Sequence, residues 1–204
     1  MAVKNYDKPD FWTQKARKEG YPARSVYKLK ELNEKFALIP PKCPTPFKAL
    51  DLGAAPGSWS LFLLRTLRSN AFLVACDLKP LLVNDADQAG MFIPIIGDFT
   101  SEPVRTEIIQ RGPYQLVVSD AAPSTSGNRF LDTQRSLELA EAALSLADAV
   151  IAPEGHCVIK VFQGEESARL LTRLKEKFNK VKTFKPVACR SSSFETYLVA
   201  LGKH

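Results

Sequence analysis

The stretch DLGAAPGSWS, residues 51–60, decides how this chain folds. It holds two glycines and a proline, and it lies between the apolar residues Ala49 and Leu50 and a run with helical spacing. Glycines in such a turn let the backbone approach a ligand closely. In an open α/β sheet the turn lies beyond the carboxyl ends of the strands, where ligands bind. The stretch therefore predicts a ligand-binding loop after the first strand of a parallel sheet.

Strand-like and helix-like patterns alternate along the rest of the chain. Short apolar runs predict strands at residues 48–52, 71–76, 92–96, 115–119, 156–162 and 194–201. Apolar residues at helical spacing predict helices at residues 58–69, 102–111, 132–151 and 165–179. KVKTFKP, residues 180–186, predicts one further strand with no helix after it. The alternation predicts an α/β fold with a mostly parallel sheet and an antiparallel C-terminal hairpin at one edge.

The first 42 residues differ in pattern from the rest. Apolar residues recur at helical spacing from Val26 to Phe36, and four prolines at positions 40–46 then interrupt the chain. We therefore expect a basic N-terminal helical arm over residues 1–42 and a sheet-bearing domain over residues 43–204, together forming a single compact unit.

Positive charge is concentrated near both ends of the 204-residue chain, whose net charge is +6. Residues 1–42 carry ten lysines and arginines against five acidic residues, and residues 167–190 carry eight against one. Two basic segments around an acidic middle favour a polyanion site built from both ends, and a pair of solvated surfaces is the alternative.

Composition argues against several other classes of protein. No stretch approaches the ~18 apolar residues of a membrane span, and the polar N-terminus lacks the apolar region of a secretory signal. The four cysteines are far apart and are expected to be free thiols in a cytoplasmic protein. Only two histidines are present, so a metal site or a histidine-based triad is not expected.

Aspartates stand at or near the ends of four successive predicted strands: Asp51, Asp77, Asp98 and Asp120. An acid at the end of the second strand is suited to ribose hydroxyls. The loop at residues 53–57 lacks the G-x-G-x-x-G pattern that seats a pyrophosphate, which argues against a nicotinamide oxidoreductase. The pattern predicts a nucleoside-type ligand without phosphates.

Several motifs in order along the chain carry a resemblance to a known family. They are ARSVYKL (23–29), DLGAAPGSWS (51–60), CDLKP (76–80), GDF (97–99), SDAAPSTSG (119–127), KVFQG (160–164) and SSFETYLVALG (192–202). Together they resemble the FtsJ-type ribose 2′-O-methyltransferases of RNA, over nearly the whole chain from residue 10. One departure is Ser58, where many bacterial members have glycine.

The resemblance implies a Rossmann-like fold with a seven-stranded sheet that uses S-adenosylmethionine as cofactor. It implies cofactor contacts at Gly57, Trp59, Asp77 (ribose), Asp98 (adenine) and Asp120 (methionine end). It also implies a catalytic set of lysine, aspartate, lysine and glutamate, which falls on Lys28, Asp120, Lys160 and Glu195. The implied reaction is in-line transfer of a methyl group to a ribose hydroxyl.

The role of Lys160 is open between a general base and a positioning group. It interrupts the apolar run VIKVF, where an ammonium is uncommon. Asp120 and Glu195 would favour the charged form of Lys160, and Lys28 alone would oppose it. This balance favours a charged Lys160 that orients the acceptor oxygen and stabilises its developing charge.

The substrate implied by the resemblance is large-subunit ribosomal RNA, methylated on a uridine ribose, with the assembled particle as the expected partner. A ribose of the tRNA anticodon loop, modified with a helper protein, is the alternative, and Ser58 favours it. A non-catalytic RNA-binding module is disfavoured because all four catalytic residue types are present. Neither DNA nor a membrane is expected as a partner. Residues 123–129 are expected to position the target nucleotide, and Arg169, Arg173 and Lys177 to form a basic stripe on a helix.

Overall fold

The computed structural model describes residues 10–42, 45–83, 89–123, 126–190 and 193–204. The strands of this part are β1 (Phe47–Leu52), β2 (Ala71–Asp77), β3 (Met91–Ile96), β4 (Tyr114–Ser119), β5 (Ile151–Phe162), β6 (Phe178–Phe184) and β7 (Glu195–Lys203). Its helices are α1 (Phe11–Lys18), α2 (Val26–Phe36), α3 (Ser58–Leu67), α4 (Glu102–Arg111), α5 (Arg129–Val150) and α6 (Glu165–Lys175).

The strands form one sheet in the order β3-β2-β1-β4-β5-β7-β6. Strands β1 to β5 pair in parallel, whereas β7 is antiparallel to both β5 and β6. This confirms the predicted Rossmann-like sheet with its antiparallel C-terminal hairpin. The direction of winding reverses between β1 and β4, so the loops after these two strands meet at the place where such folds bind ligands.

Helices cover both faces of the sheet, which explains why its central strands are nearly continuous apolar runs. One face packs on α4, α5 and α6 through residues such as Ile108, Leu146 and Leu170. The other face packs on α2 and α3, where Leu32 and Leu63 are fully buried. Helix α2 of the predicted arm therefore belongs to the core that covers the sheet.

The N-terminal segment is attached to the first turn of α3 by side chains. The hydroxyl of Ser58 accepts the backbone N–H of Ala23 (2.7 Å) and donates to its carbonyl (3.1 Å). The indole N–H of Trp59 donates to the carbonyl of Ser25 (2.8 Å). These bonds fix the backbone just before α2 against the helix that follows the loop at residues 53–57.

Several element boundaries differ from the sequence prediction, and three of them differ by three residues or more. Helix α6 ends at Lys175, and the predicted helix at residues 165–179 is wrong at its C-terminal end because Phe178 begins β6. The error arises because Phe178 is buried in the same cluster as Leu174, so apolar spacing continues through the turn. Strand β5 begins at Ile151, five residues early, and α5 begins at Arg129.

The predicted third strand carries Pro94, which β3 accommodates because it lies at the edge of the sheet.

Cys76, Cys157 and Cys189 are free and buried, and Cys43 lies outside the described residues. Within the described ranges, no helix combines the length and the apolar character that crossing a bilayer needs.

Candidate active site

The loop after β1 is held between two strand ends. Gly53 adopts a left-handed conformation (φ 72°), and a Cβ built on it would lie 2.4 Å from the Cα of Ala121, in the segment after β4. The backbone N–H of Ala55 donates to the Asp77 carboxylate at the end of β2 (2.9 Å). Only glycine permits both this conformation and this contact, so the loop is drawn tightly over the sheet.

A cavity of about 580 Å³ opens beside this loop, and we call it the strand-end cavity. Its lining includes Gly53, Ala55, Asp77, Leu78, Asp98, Phe99, Asp120, Arg135 and Glu138. Its volume lies within the range of small-molecule sites. Arg135 and Glu138 of α5 also line this cavity. Sequence reasoning did not identify them, because they lie outside the motifs.

Two of the predicted aspartates are fixed in the cavity wall by local hydrogen bonds. Asp77 accepts the backbone N–H groups of Ala55 and Lys79, both at 2.9 Å. Asp98 accepts the backbone N–H (2.8 Å) and the hydroxyl (2.7 Å) of Thr100. A carboxylate has about four acceptor sites, so each retains capacity for a ligand.

Asp51, the first of the strand-end aspartates, is turned into the protein and is fully buried. The hydroxyl of Ser60 donates to one of its oxygens (2.7 Å), and the other has no hydrogen-bond partner among the residues described. Burial raises the pKa of Asp51 to about 7. Asp51 therefore supports the loop from below and does not line the cavity.

Gly57 and Trp59, both predicted cofactor contacts, do not line the strand-end cavity. Gly57 precedes α3 with φ 112°, and a Cβ there would lie 2.8 Å from Val83. The Trp59 side chain is 2% exposed and packs near Tyr197. A cofactor contact by Trp59 stays a prediction, and it would involve its backbone.

The four predicted catalytic side chains converge at one end of the sheet. Lys160 Nζ lies 3.2 Å from Asp120 Oδ1 and donates to the Asp120 carbonyl (2.6 Å). Lys28 Nζ lies 2.9 Å from a Glu195 oxygen and 4.0 Å from Asp120 Oδ1. These groups come from α2, the end of β4, β5 and the start of β7, and we call them the charged cluster.

Opposite charges in a mostly buried setting determine the protonation of Lys28 and Asp120. Burial favours a lower pKa for Lys28, but the carboxylates of Asp120 and Glu195 outweigh it, so the pKa is raised. Burial favours a higher pKa for Asp120, but Lys160, Lys28 and Tyr197 outweigh it, so the pKa is lowered. Both groups are therefore charged at neutral pH.

Tyr197 is a member of this site that sequence reasoning did not identify. Its hydroxyl donates to Asp120 Oδ1 (2.7 Å), and burial raises its pKa well above its usual value. The register of β5 and β7 places Tyr197 directly opposite Lys160. That register is the signal that would have identified it, and it is not visible in the sequence.

A second cavity, of about 390 Å³, borders the charged cluster at Lys28 and Glu195, and we call it the basic cavity. Its lining is Arg24, Ser25, Lys28, Ala188, Arg190, Ser193 and Glu195. The structure thus brings together the N-terminal arm and the C-terminal basic segment, the two regions whose charge the sequence singled out.

The predicted basic stripe on α6 is only partly present. Lys177 lies after the helix, where it contacts Asp148, and Arg173 lies 3.9 Å from Glu141 of α5. The predicted substrate loop at residues 123–129 lies partly outside the described residues. At its described end, Asp132 of α5 accepts the backbone N–H (2.7 Å) and the hydroxyl (2.8 Å) of Ser126.

Comparison with known proteins shows which family this chain resembles. The sequence pattern of the FtsJ-like methyltransferases matches residues 21–203. A ribosomal RNA large subunit methyltransferase E from Treponema denticola is 46% identical over 201 residues, 98% of each chain. A second protein of that name, from Desulfosudis oleivorans, is 40% identical over 96% of this chain and 91% of its own.

A solved structure from Plasmodium falciparum, described as a ribosomal RNA methyltransferase, superposes with a TM-score of 0.69. It is 27% identical and covers 90% of this chain and 98% of its own. The match along the sequence and the match in fold both extend over nearly the whole chain. This chain belongs to the FtsJ-like methyltransferase family.

Proposed function

We propose that this chain transfers a methyl group from S-adenosylmethionine to the 2′-hydroxyl of a uridine ribose in large-subunit ribosomal RNA. The observation that carries the proposal is the position of the charged cluster between two cavities. Asp120 lines the strand-end cavity, and Lys28 and Glu195 line the basic cavity. A donor held in the first cavity and an acceptor held in the second would meet at this cluster, as transfer between them requires.

The strand-end cavity fits S-adenosylmethionine in size and chemistry. Asp77 would accept the ribose hydroxyls, Asp98 would lie on the adenine side, and Asp120 would lie near the methionine end. The apolar side chains of Leu78 and Phe99 offer a surface for a base. When bound, the cofactor supplies an electrophilic methyl group. Carboxylates in the wall suit its positive charge better than the phosphates of a dinucleotide.

In this proposal Lys160 holds the acceptor oxygen. Its ammonium has three N–H donors, and its contacts with the carbonyl and carboxylate of Asp120 use two of them. The third can donate to the ribose oxygen and stabilise the negative charge that develops as its proton leaves. Asp120 and the Tyr197 hydroxyl fix the direction of the ammonium. A general-base role for Lys160 would appear as a kinetic pKa near 7 that is absent in Lys160→Arg.

The proposed substrate is supported by the relatives, since proteins that match this chain over nearly their whole length are named for large-subunit ribosomal RNA. The test offers radiolabelled S-adenosylmethionine to large ribosomal subunits from cells that lack this protein and, separately, to bulk tRNA. We expect label in the particles, in a dinucleotide that resists alkaline hydrolysis. Label in tRNA alone would overturn the substrate, and label on a base would overturn the 2′-O chemistry.

A further inference from the structure

Arg24 lies in the wall of the basic cavity with its guanidinium already engaged by an acid. One nitrogen donates to the carbonyl of Ala188 (2.5 Å), and the other contacts the carboxylate of Asp10. The Arg24 side chain is 17% exposed and that of Asp10 is 42% exposed. The carboxylate on Arg24 is thus partly exposed to solvent, next to a residue that lines the cavity.

The carbonyl that orients Arg24 is held independently of Asp10. The carboxylate of Glu31 on α2 accepts the backbone N–H groups of Val187 (2.7 Å) and Ala188 (3.0 Å). Arg24 would therefore keep its direction if Asp10 moved away. A guanidinium fixed in this way presents donors that match a phosphate as well as a carboxylate.

The same cavity contains a second arginine. Arg190 is exposed and forms no ion pair within the part of the chain that the structure describes. Lys28 and Glu195, on the wall shared with the charged cluster, neutralise each other at 2.9 Å. Arg24 and Arg190 together therefore give the cavity its positive character, beside the point where an acceptor ribose would lie.

We propose that Asp10 occupies, on Arg24, the place of an RNA phosphodiester, and that RNA binding exchanges this carboxylate for a backbone phosphate of the target strand. The proposal rests on the proposed function because it takes RNA as the ligand. In the free protein the Asp10 carboxylate competes with RNA, so Asp10 lowers affinity while Arg24 raises it. No bond is made or broken in the exchange.

The test is a binding cycle on the full chain, with large ribosomal subunits that lack the modification as the probe in a filter-binding assay. Asp10 also accepts the N–H of Thr13 (2.9 Å) and so caps α1. Asp10→Asn keeps an N-cap acceptor and removes the charge. We expect its Kd to fall about two- to fivefold, the range of a partly exposed ion pair. Glu34→Gln, an exposed acid of the same arm, controls for net charge.

Arg24→Gln completes the cycle. We expect weaker binding and a salt dependence of log Kd whose slope is shallower by about 0.7 to 0.9, the loss of one phosphate contact. In that background Asp10→Asn should no longer tighten binding. An unchanged Kd in Asp10→Asn overturns the proposal, as does an equal gain from Glu34→Gln or from Asp10→Asn without Arg24.

The outcome is separable from that of the proposed function. The cycle measures binding and salt dependence, whereas the proposed function is tested by the position of the transferred methyl group. If label appears only in tRNA, the substrate assignment fails and the same cycle run with tRNA still tests the exchange. Thermal unfolding of each variant distinguishes lost affinity from lost fold.

Discussion

The strand-end cavity and the basic cavity border the same charged cluster but are assembled differently. The first is made where parallel strands end together, and its acids, Asp77 and Asp98, are fixed by backbone atoms within two residues or by the neighbouring loop. The second needs the arm and the segment before β7 to meet, across more than half of the sequence. Local chemistry determines the first cavity, and tertiary packing determines the second.

The largest effect is expected where the two cavities meet. Lys160→Ala removes the group proposed to hold the acceptor oxygen, and we expect the single-turnover rate of methyl transfer to fall by about 10³-fold or more. Affinity for S-adenosylmethionine, measured by calorimetry, should change by only a few-fold. Lys160→Arg, which keeps the charge beside Asp120, serves as the folding control. Substantial turnover by Lys160→Ala would remove Lys160 from the mechanism.

The next effect separates the cavities by ligand. Asp77→Ala removes charge-assisted hydrogen bonds worth about 1.5–3 kcal/mol each, so we expect affinity for S-adenosylmethionine to fall about 10- to 100-fold. Affinity for large ribosomal subunits should stay unchanged. Arg190→Gln should weaken affinity for large ribosomal subunits and leave affinity for S-adenosylmethionine unchanged. If either variant weakened the binding of both ligands equally, the assignment of one ligand to each cavity would be wrong.

A smaller effect concerns the raised pKa of Asp51 on β1. The pKa of Asp51 is raised to about 7, so between about pH 4 and 7 the folded state keeps a proton that the unfolded state releases. The contribution of Asp51 to the free energy of unfolding therefore falls as pH rises through that window. Asp51→Asn should gain about 1–3 kcal/mol over the parent between pH 5 and 8 in urea denaturation. A difference that is constant with pH would contradict the assignment.

The smallest effect is expected on α6. Because Arg173 is exposed and lies 3.9 Å from Glu141, we expect Arg173→Gln to change the Kd for large ribosomal subunits by less than about twofold. Arg190→Gln, which removes the same charge from the basic cavity, is the matched comparison. A loss at Arg173 as large as at Arg190 would show that α6 contributes to RNA binding.

Sequence reasoning identified the strand-end acids because their positions follow from strand period and motif spacing alone. Asp77, Asp98 and Asp120 line one cavity as expected. It could not identify Tyr197, whose role depends on the register of β5 and β7, nor the contact of Asp10 with Arg24, which depends on how α1 folds back. For Trp59 the resemblance implied a cofactor contact; its side chain is used for packing, and a contact through its backbone stays a prediction.

The bonds from Ser58 and Trp59 to the backbone at Ala23 and Ser25 bear on how the two cavities are spaced. They connect the first turn of α3, which follows the loop at residues 53–57, to the backbone of Ser25 in the lining of the basic cavity. We expect the spacing of the two cavities to be set by folding, so that no domain closure is needed when the substrates bind. On that expectation, the entry of substrates into the two cavities and the release of products would limit turnover.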